Sequence, residues 1–463
     1  MLPSARMATQ MRWWLVDRFT AQGTGRRVAV SGERFASLMQ RLDVRAEIEV
    51  PDRLGAAPHR RFVVEFERPR ALRVTDLIEG DSVLRRLRDL GDRLARERDT
   101  TLAAVIAGVQ AIVGPGRLTE HLEADAAPPP AASEEPPPRE EPPAPSEADD
   151  LFARVEMPVA GAPTPKSGVD ALVGALLGKP KRAPSPVASQ ARISAAQRIH
   201  QAVTATALDI LQHPEVAGLE ASWRGLRMLV GASPGHDRLA LDLVDADLET
   251  VPDGIVLPEA ARERPDAVFI GPALADADRL DAIARWAEHQ QIPVVVTIDE
   301  ALPFTDLDDL AQTGATPAWT ALTQQSRSQW ICAAMNPVVL VHEDTPLGPR
   351  LLGGSPAFAL AAMYAAALDR EAGLQAIVGP ARALVAPAAH DVDIGPGERR
   401  TIPTAYYAPL RVQQAAAQLG VTLLGSSPGT DRVIVADNPM VFGPSTSLLQ
   451  RIRAAFAARR AVA

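Results

Sequence analysis

The chain has 463 residues, of which 46% are hydrophobic and 23% charged, so it is long enough for about two or three domains and is neither wholly disordered nor fibrous. A net charge of -9 argues against nucleic acid as a partner of the whole chain, because that binding needs clustered Lys and Arg. The single cysteine, Cys332, excludes an internal disulfide and cysteine-rich metal sites. No apolar run resembles a secretion signal or reaches the roughly 20 residues of a membrane span. We therefore expect a cytoplasmic protein without direct membrane insertion.

Proline and acidic residues concentrate in residues 126–166, which predicts an extended linker between two folded modules. We place the N-terminal module at residues 26–125 and the C-terminal module at residues 189–463. Residues 167–182, just after the linker, read as a short amphipathic helix that is free to dock into a partner. Packing of this helix on its own domain fits the pattern equally well. Its apolar stripe consists of Val169, Leu172, Val173, Leu176 and Leu177.

The N-terminal module has an α+β pattern. Apolar and charged residues alternate over residues 44–50 and 62–66, which predicts two half-buried strands in a hairpin or neighbouring pair. A long helical pattern follows from Asp81 or Ser82 and continues, after a polar interruption, to residue 112. Arginines on its polar face are interleaved with acidic residues, so we expect a solvated, salt-bridged surface.

The C-terminal module alternates helices and strands. Two helices meet at Pro214, and the second places Leu219, Trp223 and Leu226 on one buried stripe with Glu220 and Arg224 four residues apart, an order that favours pairing. Strand-like segments then alternate with helical ones, which predicts an α/β fold with a mainly parallel or mixed sheet covered by helices. The predicted strands are residues 240–243, 267–270, 293–298, 338–341, 376–378, 421–424 and 433–435.

No motif for chemistry stands out. The sequence has no phosphate-binding loop and no histidine spacing typical of a metal site, so we predict neither cofactor nor metal. Asp299 and Glu300 follow a buried strand, where α/β enzymes place catalytic groups, although helix capping explains them equally well. His342 and its acidic neighbours are expected in an exposed loop. Cys332 lies in an apolar segment, which favours a buried, inert thiol.

The clearest pattern in the chain is residues 210–230, ILQHPEVAGLEASWRGLRMLV, which resembles the signature of the large subunit of the type VI secretion contractile sheath. The matching residues, in the family's order and spacing, are His213, Pro214, Leu219, Glu220, Trp223, Arg224, Gly225 and Leu226. Three further segments, DAVFIGP from Asp266, IPVVVTIDEALPF from Ile292 and LLGGSPAFALAAMYAAAL from Leu351, are similar to that subunit's central sheet and a following helix. The resemblance ends near residues 438–442, so we expect the family's C-terminal portion to be missing and a basic helix to follow.

Residues 26–125 are similar, more weakly, to the small subunit of the same sheath, through a segment that begins FERPRALRVTDLIEG at Phe66. Together the two resemblances imply a natural fusion of the sheath subunits, whose linker would raise their effective concentration. They imply a non-enzymatic structural protein that works by subunit assembly in a homo- or hetero-oligomer, with sheath subunits or other secretion proteins and an AAA+ disassembly ATPase as partners. The alternative is an accessory, cap or baseplate-side protein that binds sheath components but does not polymerise. A third hypothesis is an α/β enzyme.

The residues of the signature are expected to serve packing or an interface rather than chemistry. For Trp223 and Leu226, a core role is favoured over direct contact with a partner. Arg224 is more informative, because an arginine beside a buried stripe needs a carboxylate partner.

Overall fold

A computed structural model describes residues 10–30, 35–66, 72–97, 99–126, 186–233, 238–306, 314–369, 372–427, 429–437, 439 and 447–462. It confirms the predicted α/β fold with a mixed, mainly parallel sheet. Apart from residue 126, the predicted linker lies outside the described residues, and so does the predicted docking helix of residues 167–182 with Val169, Leu172, Val173, Leu176 and Leu177. Their roles stay predictions.

The strands, in chain order, are β1 (Met11–Asp17), β2 (Arg27–Val30), β3 (Arg45–Pro51), β4 (His59–Glu65), β5 (Leu239–Asp245), β6 (Ala267–Leu274), β7 (Val294–Ile298), β8 (Ile331–Met335), β9 (Val338–Thr345), β10 (Gly348–Gly354), β11 (Leu368–Asp369), β12 (Gly373–Leu374), β13 (Leu384–Val385), β14 (His390–Gly395), β15 (Glu398–Ile402), β16 (Val421–Leu423), β17 (Gly425–Ser426) and β18 (Arg432–Ile434).

The α-helices are α1 (Phe35–Arg41), α2 (Val74–Gly80), α3 (Ser82–Arg96), α4 (Leu102–Val113), α5 (Arg117–Ala126), α6 (Pro186–Gln212), α7 (Pro214–Ala232), α8 (Ala277–Gln290), α9 (Pro317–Thr323), α10 (Pro356–Ala366), α11 (Leu410–Gln418) and α12 (Leu448–Val462).

The central sheet has seven strands in the order β16-β8-β7-β6-β1-β5-β2. All of its neighbours run parallel except the edge strand β2, which is antiparallel to β5. Strand β1, with the sequence MRWWLVD, lies between β5 and β6 and is almost wholly buried. No strand is predicted there from the sequence. The run WWLV within it is nevertheless a signal for a strand, because a short continuous apolar run is typical of a strand covered on both faces.

Helices cover both faces of this sheet. On one face, Trp14, Val268 and Val296 belong to a buried cluster with α8 and with Trp319 of α9. The alternate residues Trp13 and Phe269 lie on the other face, with ring centroids 5.4 Å apart, and α10 packs against β6, β7 and β8 there. Burial on both faces explains why the strands read as continuous apolar runs rather than alternating ones.

Most predicted elements are confirmed. The alternating segments form the antiparallel hairpin β3–β4, and Pro214 begins helix α7 directly after α6 ends at Gln212. The predicted strand at residues 376–378 is wrong, because those residues have no strand partner and form an irregular segment. Ile377 is nevertheless fully buried, so the apolar pattern reflected burial and not strand pairing.

The chain divides into two compact units. The first comprises Met1–Asp52, Ala57–Asp81 and Thr204–Ala463, and it contains the seven-stranded sheet. The second comprises Arg53–Ala56 and Ser82–Val203. This division splits residues 26–125 between the two units, and their correspondence to one small-subunit module stays a prediction.

The second unit is helical in the residues described. Its core is formed by apolar residues of α3, α4, α5 and the first part of α6, and His200 approaches Asp92 with a distance of 3.1 Å between Nε2 and Oδ1. The arginine-rich face of α3 carries exposed ion pairs, such as Arg88 with Asp89 at 3.0 Å. This confirms the predicted salt-bridged surface.

Candidate functional site

The signature residues lie on α7, a helix whose start is fixed by its sequence. Pro214 occupies the first turn, where its missing N–H costs nothing, and the His213 side chain accepts a hydrogen bond from the Glu215 amide at 3.4 Å. The helix buries Leu219, Glu220, Trp223, Gly225 and Leu226. Burial of Trp223 and Leu226 agrees with the expectation that they are core residues.

Glu220 is the centre of a buried ionic cluster. Its Oε1 accepts hydrogen bonds from Arg224 Nε at 2.9 Å and from the Leu72 amide at 3.2 Å. Its Oε2 accepts from Nη2 of Arg350, which lies on β10. Glu220 and Arg350 are only 2% and 1% exposed, so both charges depend on these partners. The predicted pairing of Glu220 with Arg224 is thus present in the structure.

A second carboxylate completes this group. Glu343 lies opposite Arg350 in the β9–β10 ladder, with 3.8 Å between Glu343 Oε2 and Arg350 Nη1, and it accepts a hydrogen bond from the Val74 amide at 3.1 Å. Arg350 Nη1 also donates to the Leu72 carbonyl at 2.7 Å. We call Glu220, Arg224, Glu343 and Arg350 the Glu220 cluster. It joins α7 and β10 to the backbone at residues 72–74.

Burial lowers the pKa of the Arg224 guanidinium, and the adjacent Glu220 carboxylate opposes that effect. Sequence reasoning missed Arg350 and Glu343 as members of the cluster. The available signal was a lone arginine in the otherwise uncharged strand GPRLLGG, since such an arginine must find a carboxylate once the strand is buried.

Trp223 and Gly225 connect α7 to two other parts of the core. The Trp223 indole N–H donates to the Phe19 carbonyl at 2.9 Å, and the two rings meet edge to face with centroids 5.4 Å apart. A Cβ atom added to Gly225 would lie 2.9 Å from Cδ2 of Phe358 on α10. Glycine is therefore required where these two helices cross. Leu226 is fully buried beside them.

The residues considered for chemistry are not brought together. Asp299 and Glu300 are exposed, and Asp299 Oδ1 accepts from the Ala301 amide at 3.0 Å in a turn rather than at a helix start. His342 is exposed but lies in strand β9, so the predicted loop is wrong. Cys332 is buried 3.6 Å from Thr422 Oγ1, and burial raises the pKa of its thiol to about 12, in line with an inert thiol.

The described residues contain a cavity of about 710 Å³ at the carboxyl edge of the sheet, which sequence reasoning did not anticipate. It is lined by Asp17 at the end of β1, Gly271 of β6, Thr297 of β7, and the first residues of α7 and α10. Within the same described part of the chain, no group of three or more His, Cys, Asp or Glu residues is arranged to hold a metal ion. No helix there is long and apolar enough to cross a membrane.

Comparison with protein-family models and with curated proteins gave no match. Among solved structures, the chain is similar to a chain of the anti-feeding prophage baseplate, with 15% identity and a TM-score of 0.28 over 51% of this chain and 55% of that one. It is also similar to a chain of the anti-feeding prophage helical sheath in its contracted state, with 15% identity and a TM-score of 0.29 over 51% and 56%. The chain thus spans little more than half the length of either.

Proposed function

We propose that this protein is a structural subunit of a type VI secretion-type contractile sheath, in which parts similar to the small and large sheath subunits are fused, and that it acts by assembly and not by catalysis. The observation that carries the proposal is the signature at residues 210–230. It folds into α7, where Glu220, Trp223, Arg224, Gly225 and Leu226 all have defined packing or pairing roles.

The other segments that carry the resemblance pack around the same helix and sheet. Gly225 of the signature lies against Phe358 of the segment that begins at Leu351. The DAVFIGP and IPVVVTID segments form the neighbouring strands β6 and β7, with Val268 opposite Val294. Segments spread over about half of the chain that resemble one family and also contact one another are expected of a shared core.

The position of β2, which belongs to the predicted small-subunit-like module, supports the fusion. This strand pairs antiparallel with β5 along its whole length, from Arg27 opposite Val244 to Val30 opposite Leu241. Residues 72–74 likewise supply backbone partners to Glu220, Arg350 and Glu343. The N-terminal residues are therefore integral to the sheet that carries the large-subunit resemblance, and one continuous chain keeps the two parts at equal stoichiometry.

The proposed partners are further sheath subunits or other secretion-apparatus proteins in the cytoplasm. An AAA+ disassembly ATPase is a further proposed partner, with residues 167–182 as its binding segment, because an amphipathic stripe of this kind suits a helix-binding groove. Replacing Leu172 and Leu176 by aspartate should abolish capture of the ATPase and leave the thermal unfolding of the chain unchanged. Capture that persists would remove this segment from the proposal.

Assembly is tested by negative-stain microscopy of the purified full-length chain, alone and mixed with small and large sheath subunits. Filaments, or incorporation along the length of tubes, support the proposal. Discrete particles bound only at sheath ends would instead establish the accessory or cap protein. Particles that neither polymerise nor bind sheath components would contradict both.

The hypothesis that the protein is an enzyme is tested separately with a variant in which Asp299 and Glu300 are both replaced by alanine. Both residues are exposed, so the variant should fold, assemble and support secretion like the unchanged protein. Glu220→Leu serves as the matched control that disrupts the core. If the double variant assembles normally but loses secretion, the non-catalytic proposal fails.

A further inference from the structure

The cavity at the carboxyl edge of the sheet is built like a ligand site. Its volume of about 710 Å³ falls within the range of about 300–1,000 Å³ typical of small-molecule pockets. It lies beyond the ends of parallel strands, where open α/β sheets bind ligands. Glycine at position 271 makes room for the Asp17 carboxylate in its wall, because a Cβ atom on Gly271 would lie 2.1 Å from Oδ2 of Asp17.

Asp17 is the buried acid of this cavity. It is 7% exposed, its Oδ1 accepts from the Arg18 amide at 2.7 Å, and its side-chain partner is the Ser222 hydroxyl, which also lies 2.9 Å from the Gly218 carbonyl. Its neighbour in the sheet, Asp245, differs, because five donors from Phe19, Thr20 and Thr24 hold that carboxylate in place. Asp245 is therefore committed to shaping the loop after β1, whereas Asp17 has at most two such donors, Arg18 and Ser222, within the described part of the chain.

Burial raises the pKa of Asp17 to about 7, and the negative charge of Asp245 contributes to this rise. The hydrogen bonds from Arg18 and Ser222 and the positive charge of Arg18 lower the pKa and partly offset this effect. At neutral pH the carboxyl is thus poised between its neutral and charged forms. A cation placed beside it would draw it into the charged form.

The remaining charges favour a cation over an anion. Glu215, Asp247 and Glu249 line the cavity together with Asp17, and Arg18, the one lining cation among the residues described, lies 3.8 Å from Asp247. The helices α7 and α10 also begin at the cavity, and helix N-termini favour anions. Both, however, have proline in the first turn and use their His213 and Ser355 caps for their own amides, which leaves few free donors.

We propose that this cavity is a binding site for an ammonium or guanidinium group, which Asp17 contacts as the buried counter-charge. The Ser222 hydroxyl lines the same space, and its oxygen supplies a neutral acceptor for a further N–H group of such a cation. The Thr297 and Ser355 hydroxyls also line it, bonded to each other at 2.8 Å. The site is independent of the sheath proposal, since it requires only the fold of the first compact unit.

The proposal is tested by calorimetric titration of the full-length chain with n-butylguanidinium and n-butylammonium, with butyrate as the anionic counterpart. Either cation should bind saturably, and about tenfold more weakly at pH 6 than at pH 8, because a carboxyl with a pKa of about 7 is mostly protonated at the lower pH. Asp17→Asn should weaken binding at least ~10-fold and remove the pH dependence. Glu300→Gln, which changes an acid lining a different cavity, is the matched control and should bind like the unchanged protein.

Ser222→Ala provides a second variant that keeps the carboxyl. Removing this hydroxyl removes a hydrogen bond that lowers the pKa of Asp17, so the pH midpoint of cation binding should move upward. Thermal unfolding of both variants checks that they fold. The proposal is overturned if neither cation binds, if butyrate binds equally well, or if a folded Asp17→Asn chain binds cations unchanged.

The cation can belong to a free small molecule or to an arginine side chain of a protein. A blocked tripeptide with arginine at its centre distinguishes these sources. Binding as tight as that of n-butylguanidinium supports a protein side chain as the natural occupant. Loss of binding to the peptide, with the free cation still bound, supports a small amine or guanidine.

Discussion

Replacing Glu220 by leucine removes the carboxylate at the centre of the Glu220 cluster and leaves its cations without their main partner. Arg350 is 1% exposed and, of its partners in the described residues, would keep the Leu72 carbonyl at 2.7 Å and Glu343 at 3.8 Å. Arg224 would lose its 2.9 Å bond to the same carboxylate. Breaking a buried ion pair from one side costs about 3–5 kcal/mol, and two stranded cations place Glu220→Leu near the upper end of that range.

Arg350→Leu should cost less, about 2–3 kcal/mol, because Glu220 keeps Arg224 and the Leu72 amide as partners. In the double variant, neither charge of this pair is left buried. Its cost should therefore fall at least ~2 kcal/mol below the sum of the two single variants. The same comparison for Glu398 and Arg400, an exposed pair on the β14–β15 hairpin, should show no measurable coupling.

The assay is urea unfolding of the full-length chain followed by tryptophan fluorescence. All six tryptophans fall within the first compact unit, which also contains the Glu220 cluster, so the signal reports the relevant transition. Additive effects of Glu220→Leu and Arg350→Leu would refute the reasoning. So would a smaller loss for Glu220→Leu than for Arg350→Leu, because, within the residues that the structure describes, Glu220 takes part in three hydrogen bonds and Arg350 in two.

Three further predictions follow from single residues. Gly225→Ala should destabilise the first unit by about 1–3 kcal/mol in urea unfolding, because its Cβ would lie 2.9 Å from Phe358. Gly218→Ala in the same helix has open space around it and should stabilise the unit by about 0.5–1 kcal/mol. Equal effects of the two variants would contradict the crossing geometry of α7 and α10. Asp17 holds its proton in the folded state up to about pH 7, so its contribution to stability is fully present below its unfolded pKa of 3.8 and is lost as the pH rises to 7. As the pH rises from 4 to 8, the free energy of unfolding of the Asp17→Asn variant should therefore increase relative to that of the unchanged protein, by up to about 4 kcal/mol. If denaturant unfolding gives the same difference at every pH, Asp17 does not titrate in this range. Cys332, with a pKa of about 12, should resist iodoacetamide at pH 8 until the chain is unfolded in urea, and rapid labelling of the native protein, followed by mass spectrometry, would exclude a buried thiol.

Local patterns predicted much of the fold because they are set by short-range rules. Alternation over residues 44–50 predicted the first strand of a hairpin, and Pro214 marked the break between two helices. Continuous apolar runs predicted β6 and β7. The apolar run of β1 is a local signal for a buried strand, but its place in the sheet is decided by contacts more than 200 residues away in the chain.

The candidate site was likewise predictable from the sequence only in part. Glu220 and Arg224 are one helical turn apart, so their pairing followed from spacing alone. Arg350 and Glu343 join them only because the fold brings β9 and β10 to α7. The Asp17 cavity has no motif at all, since its lining comes from the ends of separate strands and helices. Sites of this kind become visible only in the folded chain.

The proposal that this chain assembles into a contractile sheath is tested most directly by imaging the purified full-length protein with sheath subunits by electron microscopy. Repeating copies of the chain along ordered tubes or filaments are expected. Monodisperse single particles that leave preformed sheaths undecorated along their length, whether or not they bind the ends, would contradict it.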